Sequence, residues 1–197
     1  MIKIKDKLMK SYFSVVFLML LGVGVTYTAF VSTAKILGSS FSVGSASIKL
    51  LETIGGGVES SNLVSELSGP AFYDVSPYWA EDYAVQLYNN STGMINLTTN
   101  ANYETANDPD DLRSLIFVEP VAWDDANNNG EVDTGELGDS YGVKTVIKWK
   151  TEGFDLGVLA PGEIKSLVLQ FSTESVPESR QGSTGVFDFE FDSLSLD

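Results

Sequence analysis

The sequence predicts an all-β fold, and three observations predict it. Apolar residues recur at every second position, clusters of Gly, Pro, Asn and Asp separate those runs, and no convincing helical period appears beyond the N-terminal region. Alternation of this kind buries one face of a strand and leaves the other in water. In chain order, the candidate strands run from Phe41 to Leu51, Tyr83 to Tyr88, Met94 to Thr98, Leu115 to Val121, Val143 to Trp149, Ile164 to Phe171 and Phe187 to Asp192. Between them stand turn clusters at Gly55 to Gly57, Gly69 and Pro70, Asn89 and Asn90, Asn107 to Asp110, and Pro161 and Gly162. Seven or eight short strands in a chain of this size fit a jelly-roll-like two-sheet sandwich better than a closed barrel. The last strand is the clearest: Phe187, Phe189 and Phe191 form its core face, and Asp188, Glu190 and Asp192 form a solvated one.

Composition narrows the chemistry. The 197 residues include 12 Lys plus Arg, 27 Asp plus Glu, no His and no Cys. A Cys/His zinc site, a Ser-His-Asp triad and a thiol nucleophile are therefore excluded, and the expectation is that the chain is not an enzyme. A formal net charge of -15 opposes binding to nucleic acid and to anionic membrane surfaces. Cations and other proteins remain as partners.

The N-terminus reads as an address. Lys3, Lys5, Lys7 and Lys10 precede an apolar run from Tyr12 to Val25, interrupted by Ser14, Gly22 and Gly24 and followed by small and polar residues at Thr26 to Ala29. This is the pattern of a signal peptide, a short helix cleaved after Thr28, and the run is short for a membrane span of about 20 apolar residues. An uncleaved anchor is the alternative, and either way the rest of the chain is expected outside the cell. Loss of four Lys and Asp6 takes the net charge from -15 to -18. Without cysteines, an exported chain must draw its stability from a packed core, a bound metal or neighbouring subunits.

One segment has the spacing of a metal site. Asp125, Asn127, Asn129, Glu131, Asp133 and Glu136 occupy positions 1, 3, 5, 7, 9 and 12 of a loop with Gly130 at position 6, the arrangement of an EF-hand-type calcium loop. Ca²⁺ takes six to eight oxygens at about 2.3–2.6 Å; Glu131 would offer its carbonyl and Glu136 both carboxylate oxygens. Two neutral ligands, Asn127 and Asn129, point to the modest affinity of extracellular modules, with Kd of about 10⁻⁴–10⁻³ M. No helix flanks the segment, so a fixed structural clip is expected rather than a switching sensor. A polar Asn-Gly turn joining two strands is the other reading of the same residues.

A set of motifs recurs along the chain in a recognisable order. Gly24, Thr28, Ala29 and Phe30 mark the expected cleavage junction; Phe41, Gly44 and Ile48 lie in the stretch from Ser39 to Leu50. Leu159, Pro161, Gly162 and Glu163 precede a strand, and Gln181 and Gly182 precede Phe187, Phe189 and Phe191. In this order and spacing the chain resembles the TasA/camelysin family, with the calcium-type loop as an addition to the family pattern. The resemblance implies a jelly-roll domain exported to the cell surface as a structural subunit of biofilm matrix fibres or bundling pili, polymerising by donor-strand exchange. Some camelysin relatives have been described as metalloproteases, but a chain without His has neither the ligands nor the His-Glu-x-x-His helix of that mechanism.

The implied organisation is a signal peptide at 1–28, a donor-strand segment at 29–38 and a jelly-roll domain at 39–197, with the calcium-loop insertion near 124–138. Ala29, Phe30, Val31, Ala34, Ile36 and Leu37 make the segment mostly apolar, and Gly38 supplies a hinge. A strand of this kind can pair an open sheet edge on another copy and bury Phe30, Ala34 and Ile36, or the alternate set, growing filaments by a heterologous contact. It can also fold back as the first strand of its own domain. The expected partner is therefore a second copy of the chain, with no nucleic acid and no membrane in the mature form. The rival from another class is a monomeric, calcium-stabilised cell-surface binding or adhesion module.

Overall fold

The structure, a computed structural model, describes residues 46–73, 75–127 and 129–196. The expected signal peptide and donor segment lie outside these residues, as does the first part of the strand expected from Phe41. The described elements are β1 (Ile48–Leu51), β2 (Leu63–Val64), β3 (Ala80–Asn89), β4 (Ile95–Asn102), β5 (Ile116–Trp123), β6 (Leu137–Ser140), β7 (Lys144–Thr145), α1 (Val146–Glu152), β8 (Phe154–Leu159), β9 (Ile164–Thr173) and β10 (Asp188–Ser195).

Two antiparallel sheets pack in a sandwich-like arrangement. One has the order β2-β1-β3-β9-β5-β6, with β7 also paired to β5; the other has the order β10-β4-β8. From β3 onward the chain passes repeatedly between layers, so β4, β8 and β10 face the larger sheet. Alternation dictates what they bury. On β4 the residues Ile95, Leu97, Thr99 and Ala101 are buried, and Leu97 and Ala101 share one continuous core with Leu87, Val118, Leu167 and Leu169 of the opposite sheet. Complete burial of a leucine or valine contributes about 1.5–3 kcal/mol each, so this layer dominates stability. Thr99 is the polar exception, and its hydroxyl donates to the Glu190 carbonyl on β10 at 2.8 Å.

The expected strands near 83–88, 94–98, 115–121, 164–171 and 187–192 are present, with ends displaced by a few residues. The strand expected from Val143 to Trp149 is corrected: only Lys144 and Thr145 are extended, and Val146–Glu152 is a helix. Thr145 caps it by accepting the Lys148 N–H, and Val146 and Trp149, three residues apart, bury one helical face. Trp149 is fully buried and stacks on Phe189 at 5.1 Å between ring centroids. Val143, which the period-two reading placed in the core, is 55% exposed.

The strand β8 was hidden from the alternation rule by a bulge. Phe154 and Leu156 are buried, then the phase slips so that Leu159 is the next inward residue, with the register against β4 shifting between Leu97 and Thr98. Gly153 joins α1 to β8 at φ 61° and ψ -176°, a region that residues with a Cβ rarely adopt. A Cβ there would lie 2.5 Å from Asn100 Oδ1 and 3.1 Å from the Thr99 carbonyl. Replacing Gly153 with Ala is expected to cost at least about 1–3 kcal/mol from backbone strain alone, lowering Tm by about 2–4 °C per kcal/mol in thermal melts.

Loops are pinned by buried polar side chains. Asn89, with no exposed surface, donates to the Gly93 and Leu159 carbonyls at 3.1 and 3.0 Å and so ties the β3–β4 turn to the end of β8. Asp108, equally buried, accepts the Leu112 and Arg113 N–H groups at 2.7 and 3.1 Å and the Arg113 guanidinium at 2.9 Å. A buried carboxylate is tolerated here because it is both paired and hydrogen-bonded.

Candidate functional site

Two features stand apart from the core. The first is a groove produced by unequal sheets. The larger sheet extends past β9 through β3 and β1, while the smaller one stops at β10. The inward faces of β1 and β3 therefore line a cavity of about 780 Å³, with Ile48, Leu50, Tyr83, Val85 and Leu87 on one wall and Phe187 to Asp192 on the other. Leu67 and Gly69, in the connection from β2 to β3, contribute to its rim. Burial pushes the Tyr83 phenol above its ordinary pKa, while Glu66, in the connection from β2 to β3, adds a carboxylate to the lining.

The edges of the smaller sheet differ in their readiness to pair. β8 is short, bulged and carries Gly157 at φ 83°, devices that blunt an edge. β10 pairs with β4 over eight consecutive residues without a register shift and has no second partner among the described residues. Along that edge it presents a regular row of N–H and C=O groups beside the groove that no described strand pairs with. Its inward residues Phe189 and Phe191 belong to the core, and Phe189 stacks on Phe171 at 5.1 Å.

The second feature is the loop from Asp124 to Glu136, which joins β5 to β6 as a hairpin connection. Its residues are ordered by side-chain oxygens accepting backbone N–H groups. Asp125 takes the N–H groups of Asn129 and Gly130, both at 3.0 Å; Asn127 takes that of Asn129 at 2.9 Å; Asn129 takes that of Glu131 at 2.7 Å. These contacts turn the chain tightly around Gly130 at φ 76°. Glu136 closes the loop, accepting the Asp133 N–H at 3.1 Å and the Trp123 indole N–H at 3.2 Å.

Asp133 is the convergence point. The side-chain amides of Asn127 and Asn129 each donate to one of its oxygens at 2.8 Å. Those two hydrogen bonds hold the Asp133 carboxyl below its ordinary pKa. The structure thus brings Asn127, Asn129 and Asp133 together, with Asp125 bound to the same turn. Glu131 contributes a backbone N–H, and its exposed side chain meets none of the other five. Among the described residues no three of His, Cys, Asp or Glu converge closely enough to hold a metal. The amides of Asn127 and Asn129 turn their N–H donors to Asp133 and their oxygens to backbone N–H groups, so a hard cation would have to draw those oxygens and the Asp133 carboxylate round to itself. A Cβ on Gly130 would touch Ile54 at 3.6 Å, so the loop rests on the turn between β1 and β2.

The residues of the groove wall were legible as strand residues but not as a site. Nothing in Ile48, Leu50 or Tyr83 distinguishes a strand facing a groove from one facing a partner sheet; the signal lies in strand order. Compared with protein-family models and with curated proteins, the chain has no match.

Proposed function

We propose that this chain is an exported structural subunit of an extracellular filament, a jelly-roll domain of the TasA/camelysin type that polymerises by donor-strand complementation. The observation that carries this reading is the groove beside β10: a trough with Ile48, Leu50 and Val85 on one wall and carboxylates of Glu66, Asp188 and Glu190 in its lining, next to a regular strand edge with no partner among the described residues. Such an edge is an aggregation liability unless it is filled, and a strand from another copy fills it with backbone hydrogen bonds and pocketed side chains. The apolar segment from Ala29 to Leu37 is the strand the sequence offers. Each subunit then gives one strand and takes one, which propagates an open chain of subunits.

The Asp124–Glu136 loop is the calcium clip of this subunit. Asp125, Asn127, Asn129, Asp133 and Glu136 supply side-chain oxygens and Glu131 its carbonyl; a bound Ca²⁺ neutralises Asp133 in place of the two amide donors. The ion's contribution is stability of a long acidic connection.

Negative-stain electron microscopy of the chain beginning at Ala29, beside one beginning at Ser39 and with calcium present, tests the assembly. Filaments are expected from the longer chain alone. Soluble particles from both would favour the monomeric binding module, and filaments from both would remove the N-terminal segment as their cause.

A further inference from the structure

Three tripeptides of the form Asn-x-Ser/Thr lie where β3 turns into β4: Asn89-Asn90-Ser91, Asn90-Ser91-Thr92 and Asn96-Leu97-Thr98. Each is the acceptor pattern for an N-linked glycan on an exported chain. The pattern is short, so its place in the fold decides whether it can be used. A glycan needs a side-chain amide that faces water and a stretch of backbone that an enzyme can draw out of the surface.

Asn89 is closed to modification. It has no exposed surface, its amide donates to the Gly93 and Leu159 carbonyls at 3.1 and 3.0 Å, and its Oδ1 accepts the Ser91 N–H at 2.9 Å and the Ser91 hydroxyl. A sugar on that nitrogen would undo the turn and its tie to β8. Asn96 is half-buried on β4, the central strand of the smaller sheet, with Leu194 beside it on one flank and Val158 on the other. Its backbone is held in ladders along both sides.

Asn90 differs in each respect. It is exposed, and the connection from Asn90 to Met94 lies outside helix and strand. Its backbone N–H donates to the Ser47 carbonyl at 2.9 Å, but neither its side chain nor that of exposed Thr92 makes a hydrogen bond among the described residues. Its φ is not in the left-handed region, the usual conformational reason for an asparagine in a turn. The turn is thus held by Asn89, and nothing in its geometry requires asparagine at position 90. The same connection leaves Met94 54% exposed, apolar surface that a glycan on Asn90 would cover.

We propose that Asn90 is a glycosylation site, receiving its glycan from a lipid-phosphate-linked oligosaccharide. Asn90 Nδ2 forms a bond to the anomeric carbon of the first sugar, and the bond from that carbon to the phosphate oxygen breaks. The lipid phosphate leaves with the electron pair, and the transferring enzyme takes one amide proton. The Thr92 hydroxyl is the recognition group that completes the acceptor pattern. The glycan sits at the end of the sandwich where β1 begins and β8 turns into β9, since Asn90 binds Ser47 and Asn89 binds Gly162 and Glu163 through their backbones. This rests on the export of the chain in the reading above and adds a covalent modification to it.

Peptide mass spectrometry of the chain recovered from the surface of the cells that export it tests the site, with fragmentation that keeps sugars on the peptide so that Asn90 is told from Asn89. The peptide spanning Asn89 to Met94 is expected to be heavier by one or more whole sugar residues, all on Asn90. Thr92→Ala is expected to abolish the added mass with an unchanged far-UV circular dichroism spectrum, and Thr92→Ser, which keeps the acceptor pattern, to retain it. A surface chain with Asn90 unmodified, a glycan on Asn89 or Asn96 instead, or a glycan that survives Thr92→Ala would overturn the proposal and leave export standing. An unmodified chain found only inside the cells, with residues 1–28 still attached, would overturn the proposal and the export reading together.

Discussion

A one-to-one mixture of two assembly-dead variants is expected to yield dimers and nothing longer. In the first variant Ile36→Asp spoils the donated strand but leaves the groove intact. In the second Leu50→Glu puts a carboxylate into the groove wall, where Leu50 is half-buried beside Ile48, and leaves the donated strand intact. Burying either carboxylate without a partner costs several kcal/mol, and about 1.4 kcal/mol is a factor of ten, so each variant alone should assemble at least about a hundredfold less well than the parent. Mixed, the good strand of the second enters the good groove of the first. The remaining strand and groove are both disabled, and growth stops at two. Sedimentation velocity distinguishes the outcomes: a dimer peak appearing only in the mixture supports a one-way exchange, whereas filaments in the mixture or in either variant alone would refute it. Leu50 is suited to the purpose because it is only partly buried at the margin of the core, whereas Leu97 is fully buried within it.

How far the sequence reveals this design depends on what each rule senses. Period-two alternation senses a strand with one wet face, and it found β3, β4, β5, β9 and β10. It misread Val143 to Trp149 because Val146 and Trp149 satisfy a helix through their three-residue spacing, while the apparent strand alternation places exposed Val143 inside. It overlooked β8 because a bulge beside Gly157 moves Leu159 out of phase with Phe154 and Leu156. The loop at Asp125 was legible because its chemistry is local: oxygens at fixed spacing around a glycine form one turn wherever the chain places it. The sequence did not specify that the loop would be a β5–β6 hairpin resting on Ile54, which is a non-local fact. The groove was illegible for the same reason. It exists because one sheet is wider than the other, and no window of the sequence carries strand order.

Replacing both Asp125 and Glu136 with Ala is expected to abolish the dependence of stability on calcium. For a Kd of about 10⁻⁴–10⁻³ M, saturation at about 10 mM calcium contributes about 1.4–2.7 kcal/mol. At about 2–4 °C per kcal/mol, that is a rise in Tm of about 3–11 °C over chelator for the parent and none for the variant. Without calcium the variant should also melt somewhat lower than the parent, because Asp125 loses its N–H bonds from Asn129 and Gly130 and Glu136 leaves the Trp123 indole unpaired. Trp123 gives a local readout: an ion that draws Glu136 away from its indole N–H should change tryptophan fluorescence in the parent and not in the variant. Proton competition supplies a sign that a mere polar turn would share only in part. Asp133 has a folded pKa below its ordinary value near 3.8, so its contribution is complete above that value and is lost as pH falls through the lower folded one. Calcium binding should weaken in the same descent, since the proton taken by Asp133 removes a ligand. A melt that is identical with and without chelator at neutral pH would eliminate the calcium site and leave the hydrogen-bonded turn as the whole role of these residues.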